Sequence, residues 1–345
     1  IPAMRVLVTG HHGYIGSLLM PLLAERGIDA CGIDSDLFES CTFGPSVAEP
    51  WPSRRQDLRD VTVGDLAGFD AVMHLAALSN DPLGDINPEL TYDINYRASV
   101  RLASCAQKAG VRRFLFSSSC SLYGAAGDAP LDEGASFAPQ TPYGESKILT
   151  EQELTKLADA EFSPVYLRNA TVYGTSPRLR CDLVVNNLVG YALTTGEVLL
   201  KSDGTAWRPL VHVEDVCSAF ESILVAPRDV VHDRAFNVGR PGENYRIRDV
   251  ARIVEETVEG TRVRIEAGAS PDTRNYRVDF SRITAEIPAF APQWNVAAGA
   301  RQILDAYRAN GMTAERFESP RYFRIRTVQE RQAAGTLGAD LRPLA

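Results

Sequence analysis

The stretch MRVLVTGHHGYIGSLLMPLLAERG (residues 4–27) decides the fold. Its apolar run Arg5–Val8 reads as a strand. The strand feeds a turn with glycines at 10, 13 and 16, and the turn opens an amphipathic helix that stops near Gly27. Glycines between a strand and a helix let backbone N–H groups and the helix N-terminus approach a pyrophosphate. Gly10, Gly13 and Gly16, with Tyr14 and Ile15 inside the turn, are therefore expected to hold a dinucleotide.

The next segment, DACGIDSD (29–36), reads as a second strand ending at Asp34. A carboxylate at that point takes both hydroxyls of an adenosine ribose. Ser35 and Asp36 offer no arginine for a 2′-phosphate, which favours NAD over NADP. Asp57 and Leu58 are expected to flank the adenine. The small residues of HLAA bring Leu75, Ala76 and Ala77 close to the cofactor.

Further strands read at 69–78, 112–119, 164–169 and 234–239, with helices at 91–109 and 143–159. That alternation predicts an α/β fold with a doubly wound parallel sheet of Rossmann type. After residue 175 the rhythm loosens. Helices read at 181–196, 246–260 and 301–311, a strand and helix at 208–224, and only weak periodicity at 262–300. The expected division is an NAD-binding domain at 4–178, to which 208–240 returns, and a smaller C-terminal α/β substrate-binding lobe with a tail at 179–345.

The 345 residues suffice for a full core, and a net charge of −8 argues against a nucleic-acid partner. Six scattered cysteines form no C-x-x-C pair, so neither zinc nor a disulfide framework is expected, and reduced thiols point to the cytoplasm. No apolar run is long enough for a membrane span and no signal peptide is recognisable. The leading Ile-Pro-Ala reads as foreign to a natural chain starting at Met4. His11 and His12 read as spacers in the turn, His212 as packed and His232 as exposed. No histidine pair has metal-ligand spacing.

Residues 143–147 read YGESK. On a helix Tyr143 and Lys147 share one face. A phenol is a poor base at neutral pH, but a nearby ammonium favours the phenolate, so the pair suits general acid–base work beside a nicotinamide. Some 24 residues earlier, the strand RRFLFSSS runs into SSSCSLYG (117–124).

The glycine turn, the strand-end acid, the serine-rich strand end and Tyr-x-x-x-Lys together resemble the extended short-chain dehydrogenase/reductase family. GTAWRPLVHVEDV (204–216) is similar to a further family segment. The resemblance covers nearly the whole chain and implies bound NAD, a nucleoside diphosphate sugar as substrate and a homodimer formed through helices 91–109 and 143–159. It makes Tyr143 the base and gives Lys147 the nicotinamide ribose. Ser119 and Ser121 face the reacting sugar. Asn95 and Ser117 fall among the cofactor contacts. Arg208 and Arg274 clamp the diphosphate, and Ser79, Asn80, Cys120, Asn169 and Leu183 stand with the substrate.

Within that family, 4,6-dehydratases carry an Asp-Glu pair where this chain has Cys120 and Ser121. A serine cannot remove the C5 proton, and Cys120 reads foremost as a packed side chain. The expectation is a 4-epimerase, with a 4-ketoreductase as the alternative and a non-catalytic NAD(P)-binding sensor as the least favoured reading. The sequence R-N-A-T-V-Y-G (168–174) departs from the family's R-x-x-N pattern. The tail from Arg316 onward is longer than the fold needs. It is expected over the sugar site, across a dimer contact, or as a solvated end.

Overall fold

The computed structural model describes residues 4–46, 48–79 and 87–344. Its centre is a parallel sheet of seven strands: β1 (Arg5–Thr9), β2 (Asp29–Asp34), β3 (Ser53–Arg55), β4 (Ala71–His74), β5 (Arg113–Ser119), β7 (Ser163–Asn169) and β11 (Arg234–Val238). The spatial order is β11-β7-β5-β4-β1-β2-β3. The chain thus winds outward from β1 in both directions, which places a crevice where the order reverses.

β1 explains why helices cover both faces. Val6, Leu7 and Val8 are all fully buried. Successive strand side chains point to opposite faces. Val6 and Val8 pack with Leu19, Met20 and Leu23 of α1 (Gly16–Glu25) and Phe220 and Ile223 of α5 (Val213–Val225). Leu7 packs on the other face with Leu102 and Ala106 of α2 (Ala98–Lys108) and Leu154 of α3 (Pro142–Leu157).

Beyond the sheet, β6 (Pro130–Leu131) pairs with β14 (Arg277–Val278), and β9 (Glu197–Leu200) with β13 (Arg262–Ile265). A three-stranded sheet joins β8 (Thr171–Tyr173), β10 (Trp207–His212) and β12 (Asn244–Arg246). A second apolar core gathers α4 (Val184–Thr195), α6 (Ile247–Thr257) and α7 (Val296–Ala309) around Tyr307, Phe317 and Tyr322. α8 (Arg324–Ala333) belongs to the tail.

Three departures from the sequence expectations have physical causes. The segment 208–240 does not return as a block. β10 pairs with β8 and β12 outside the large sheet, while α5 packs on the Rossmann core and β11 is its seventh strand. The strand expected at 69–78 ends at His74, and the chain beyond it passes so near Gly10 that a Cβ there would sit 2.7 Å from Ala76 N. The helix expected at 91–109 is interrupted by a π turn at Tyr92–Arg97. Its extra carbonyl, Asn95 O, accepts from Ser99 Oγ and Thr150 Oγ1 at 2.7 and 3.2 Å. Among the described residues no helix is long and apolar enough to cross a membrane.

Candidate active site

A cavity of about 1490 Å³ opens along the carboxyl ends of β1, β2, β4, β5 and β7 and continues between them and the C-terminal lobe. Drug-sized ligands occupy roughly 300–1,000 Å³, so the space suits two ligands side by side.

At one end lies the glycine turn. Gly10 has φ 73°, a conformation that L side chains rarely adopt. A Cβ on Gly16 would lie 2.5 Å from Gly10 O, so the turn closes tightly on itself. Tyr14 fastens the turn to the rest of the protein: its hydroxyl donates to Gly174 O at 2.6 Å, and its carbonyl accepts from Ser176 Oγ at 2.8 Å. The backbone at Gly10, Gly13, Tyr14, Ile15 and Gly16 borders the cavity.

Asp34, at the end of β2, accepts from the backbone N–H groups of His12 and Asp36 at 3.1 and 2.9 Å, which fixes its carboxylate beside the turn. His11 is buried and lies against β2, where only a glycine fits: a Cβ on Gly32 would fall 2.2 Å from its ring. His12 bridges Asp36 and Glu49 at 2.6 and 2.9 Å, and these hydrogen bonds raise it to about 8 against the opposing effect of burial. His11, His12 and Asp34 bring ligand-type atoms within 4.8 Å of one another. However, both nitrogens of His12 and Nε2 of His11, which bonds Ser53 Oγ, already have partners.

Farther along, Asp57 and Leu58 border the same end, with Asp57 held bidentately by Arg59 at 2.7 and 2.9 Å. Burial opposes the Asp57 charge, yet the Arg59 hydrogen bonds outweigh it and hold the carboxyl below its usual range. Leu75, Ala76 and Ala77 form the floor.

The Tyr143–Lys147 pair is set by a helix start. Thr141 caps α3 by accepting from Gly144 N, and Pro142 occupies its first turn, so Tyr143 leaves the helix at the cavity wall. Lys147, one turn on, is buried and donates to Ser117 O at 2.7 Å. Its ammonium lies 4.8 Å from the Phe116 ring centroid and 5.4 Å from that of Tyr143. Burial pushes Lys147 down to about 7, a shift that Glu151 offsets only in part. Glu151 is itself engaged in a buried pair with Arg168 at 2.7 Å and accepts from Ser118 Oγ at 2.5 Å. Beside Tyr143, Ser119 Oγ accepts from the N–H and hydroxyl of Ser121 at 3.1 and 2.9 Å. Asn169 donates to Ser117 Oγ at 3.1 Å, while its Oδ1 is buried with no protein partner.

At the other end, Arg208 and Arg274 converge on Asp272, at 2.7 and 3.2 Å. Burial lowers Arg208, and Asp272 restores part of its charge preference. Leu183 and Ser79 complete the expected lining.

Two expected contacts fall elsewhere. Asn95 does not reach the cavity. Its side chain accepts from Leu78 N at 2.7 Å and donates to Leu78 O at 2.9 Å, so it positions the chain after β4. Cys120 is fully buried and donates to Arg168 O at 3.1 Å, and burial raises its thiol far above the usual range. It is a packed side chain rather than a sugar contact. Asn80 lies outside the described residues.

The sequence reading missed Arg180, whose guanidinium pairs bidentately with Asp182 and donates to Ser79 Oγ at 3.1 Å inside the cavity. It also missed Asp272. Arg180–Asp182 and Asp272–Arg274 share an acid–base spacing of two residues, a signal that reading cations singly passes over. The tail, expected over the sugar site as one of three options, supplies Phe323, Arg324 and Leu341 to the wall.

These residues fit a dinucleotide. The glycine turn offers backbone N–H groups that suit a pyrophosphate, the oriented Asp34 carboxylate suits ribose hydroxyls, and Lys147 offers a buried amine at the cavity wall.

Comparison with known proteins agrees. The sequence profile of the NAD dependent epimerase/dehydratase family matches residues 6–239. A UDP-glucose 4-epimerase of Azospirillum brasilense is 31% identical over 272 residues, covering 73% of this chain and 77% of that protein. Among solved structures, MoeE5 in complex with UDP-glucose and NAD superimposes with a TM-score of 0.75 at 28% identity, covering 88% of this chain and 99% of that one. The UDP-glucose 4-epimerase of Thermotoga maritima with UDP-glucose gives 0.76 at 25% identity, covering 89% and 99%. The chain adopts their Rossmann-type α/β fold, shares the family's NAD dependence, and belongs to the NAD dependent epimerase/dehydratase family.

Proposed function

We propose that the protein is a nucleoside diphosphate sugar 4-epimerase. The observation that carries this reading is the pairing of an intact Tyr143–Lys147–Ser119 constellation with the absence of any acid–base pair at positions 120 and 121. Tyr143 takes the proton of the sugar C4 hydroxyl and later returns it. Lys147 in its protonated form places positive charge beside the phenol and so favours the phenolate. Ser119, oriented by Ser121, holds the reacting oxygen. NAD, when bound, would supply the hydride acceptor for C4 and the hydride that restores it. Arg208 and Arg274 hold the diphosphate while the 4-keto sugar turns over.

The relatives whose names print UDP-glucose support a uridine nucleotide as the first substrate to try. Dehydration lacks its machinery among the described residues: Cys120 is sealed in the core, and the Ser121 hydroxyl is bonded to Ser119. Assembly as a homodimer through the outer faces of α2 and α3, and a cytoplasmic location, accompany this reading.

The test is incubation of the purified protein with UDP-glucose and related nucleotide hexoses and heptoses, without added cofactor, followed by proton NMR. A C4 epimer formed without reductant is expected. A C6 methyl signal would assign a dehydratase instead. Turnover only of a 4-keto sugar with NAD(P)H would assign a ketoreductase.

A further inference from the structure

We infer that the C-terminal tail forms part of the binding site for the adenosine half of NAD. The cavity end beside Asp34 is lined by the glycine turn, the segment after β2 and the segment after β3. The remaining wall comes from some 280 residues farther along the chain.

α8 lies across the segment after β2, where Arg331 donates to Leu37 O at 2.7 Å. Beyond it, residues 336–344 fold into a small closed loop. Gly338 N donates to Arg342 O at 2.8 Å, Leu344 N donates to Thr336 O at 3.1 Å, and Leu337 bridges Pro343. The loop holds Leu341 at φ 59°. A leucine in that region is an outlier, and such strain persists only where the surroundings over-determine it. Here they place Leu341, 7% exposed, in an apolar cluster with Leu37, Phe38, Leu78 and Ile94, all five at the cavity wall. Leu58 stands at the same end.

The neighbouring residue fastens the loop. Arg342 makes two bonds to Asp60 at 2.6 and 3.0 Å and lies 3.7 Å from Asp57, the carboxylate that Arg59 already clamps at the cavity edge. An apolar slot beside an oriented ribose-binding acid suits a purine base. A tail seated over that slot must move before the cofactor leaves.

The test uses the full-length protein freed of nucleotide, with AMP as the probe for the adenosine half and NAD release as the kinetic readout. Asp60→Asn and Arg342→Ala loosen the latch from its two sides, and Leu341→Ala shortens the apolar wall. We expect each to weaken AMP binding about 3–10-fold by calorimetry and to speed NAD release by a similar factor, with native circular dichroism. Raised salt should reproduce the Asp60→Asn effect in the wild type, because the latch is exposed. Unchanged AMP affinity and NAD release, within twofold, in all three variants would overturn the inference. So would a lowered melting temperature without any change in AMP affinity. Asp60 is outside the cavity lining and on the surface, so its variant remains informative if the others fold poorly. Both readouts need no turnover, so a failed epimerase assay would leave this result standing.

Discussion

The two ends of the cavity are built on different plans. The cofactor end is made of backbone: a glycine turn with no room for a Cβ, strand ends, and one carboxylate held by two N–H groups. The other end is made of long side chains from β10 and from separate loops. There Arg208 and Arg274 share Asp272, and Arg180 turns to Asp182 and Ser79. At the glycine turn and strand ends, backbone geometry leaves little to reorganise when a dinucleotide arrives. The arginines instead hold internal counter-ions, so an incoming diphosphate competes with Asp272 for the same guanidinium groups. A rigid end suits a cofactor that stays, and an exchangeable end suits a substrate that leaves after each turnover.

The residue between the two ends should give the largest effect. Tyr143→Phe is expected to lower kcat about 10³-fold, within the usual range for removing a general acid–base group, with NAD affinity unchanged. A variant retaining a tenth of the activity would mean that the chemistry sits elsewhere.

Gly10→Ala tests the backbone plan. Its Cβ would meet Ala76 N at 2.7 Å from a φ of 73°, and we expect a loss of ~3 kcal/mol in chemical denaturation. Gly260→Ala, at φ 81° with nothing within 4 Å, is the control in the other lobe and should cost about 1 kcal/mol. Equal losses would erase the contrast between the two ends.

Arg208→Gln tests the side-chain plan. Losing one member of a buried charge pair costs about 2–3 kcal/mol in binding, so KM for the nucleotide sugar should rise roughly 30–100-fold while NAD affinity holds. A parallel loss of NAD affinity would show that the ends are coupled.

The smallest effect is a pH dependence at the cofactor end. His12 is raised from the ordinary 6.5 to about 8, so its stabilising contribution is complete below 6.5 and lost as pH rises through 8. Because the group is only half-buried, screening leaves about 1 kcal/mol. Urea unfolding of nucleotide-free protein at pH 6 and pH 9 should show that loss in the wild type and not in His12→Gln.

The contrast also explains which parts were readable in advance. The cofactor end was legible because its residues are consecutive: strand, glycine turn, helix and strand-end acid follow one another within 4–34. Tyr143 and Lys147 were legible because helical geometry fixes their relation. Asn95 was recognised as an important position, and only the fold reveals that its amide pairs with the Leu78 backbone. Cys120 lies between two serines that both face the cavity, and a 3₁₀ turn at Cys120–Tyr123 swings it inward instead.

By itself the sequence determined the parallel sheet and the NAD cofactor, and it singled out the glycine turn, Asp34 and the Tyr143–Lys147 pair as candidates. Local periodicity and neighbouring residues are enough to specify each of these. Only the tertiary structure decided that Arg180 turns to Ser79 and that Arg208 and Arg274 meet on one carboxylate. It alone placed Leu341 and Arg342 beside Asp57 and Asp60. Those contacts join residues up to 285 positions apart. Charge and apolar character make such pairings favourable, but which partners meet is set by how the lobes and the tail pack.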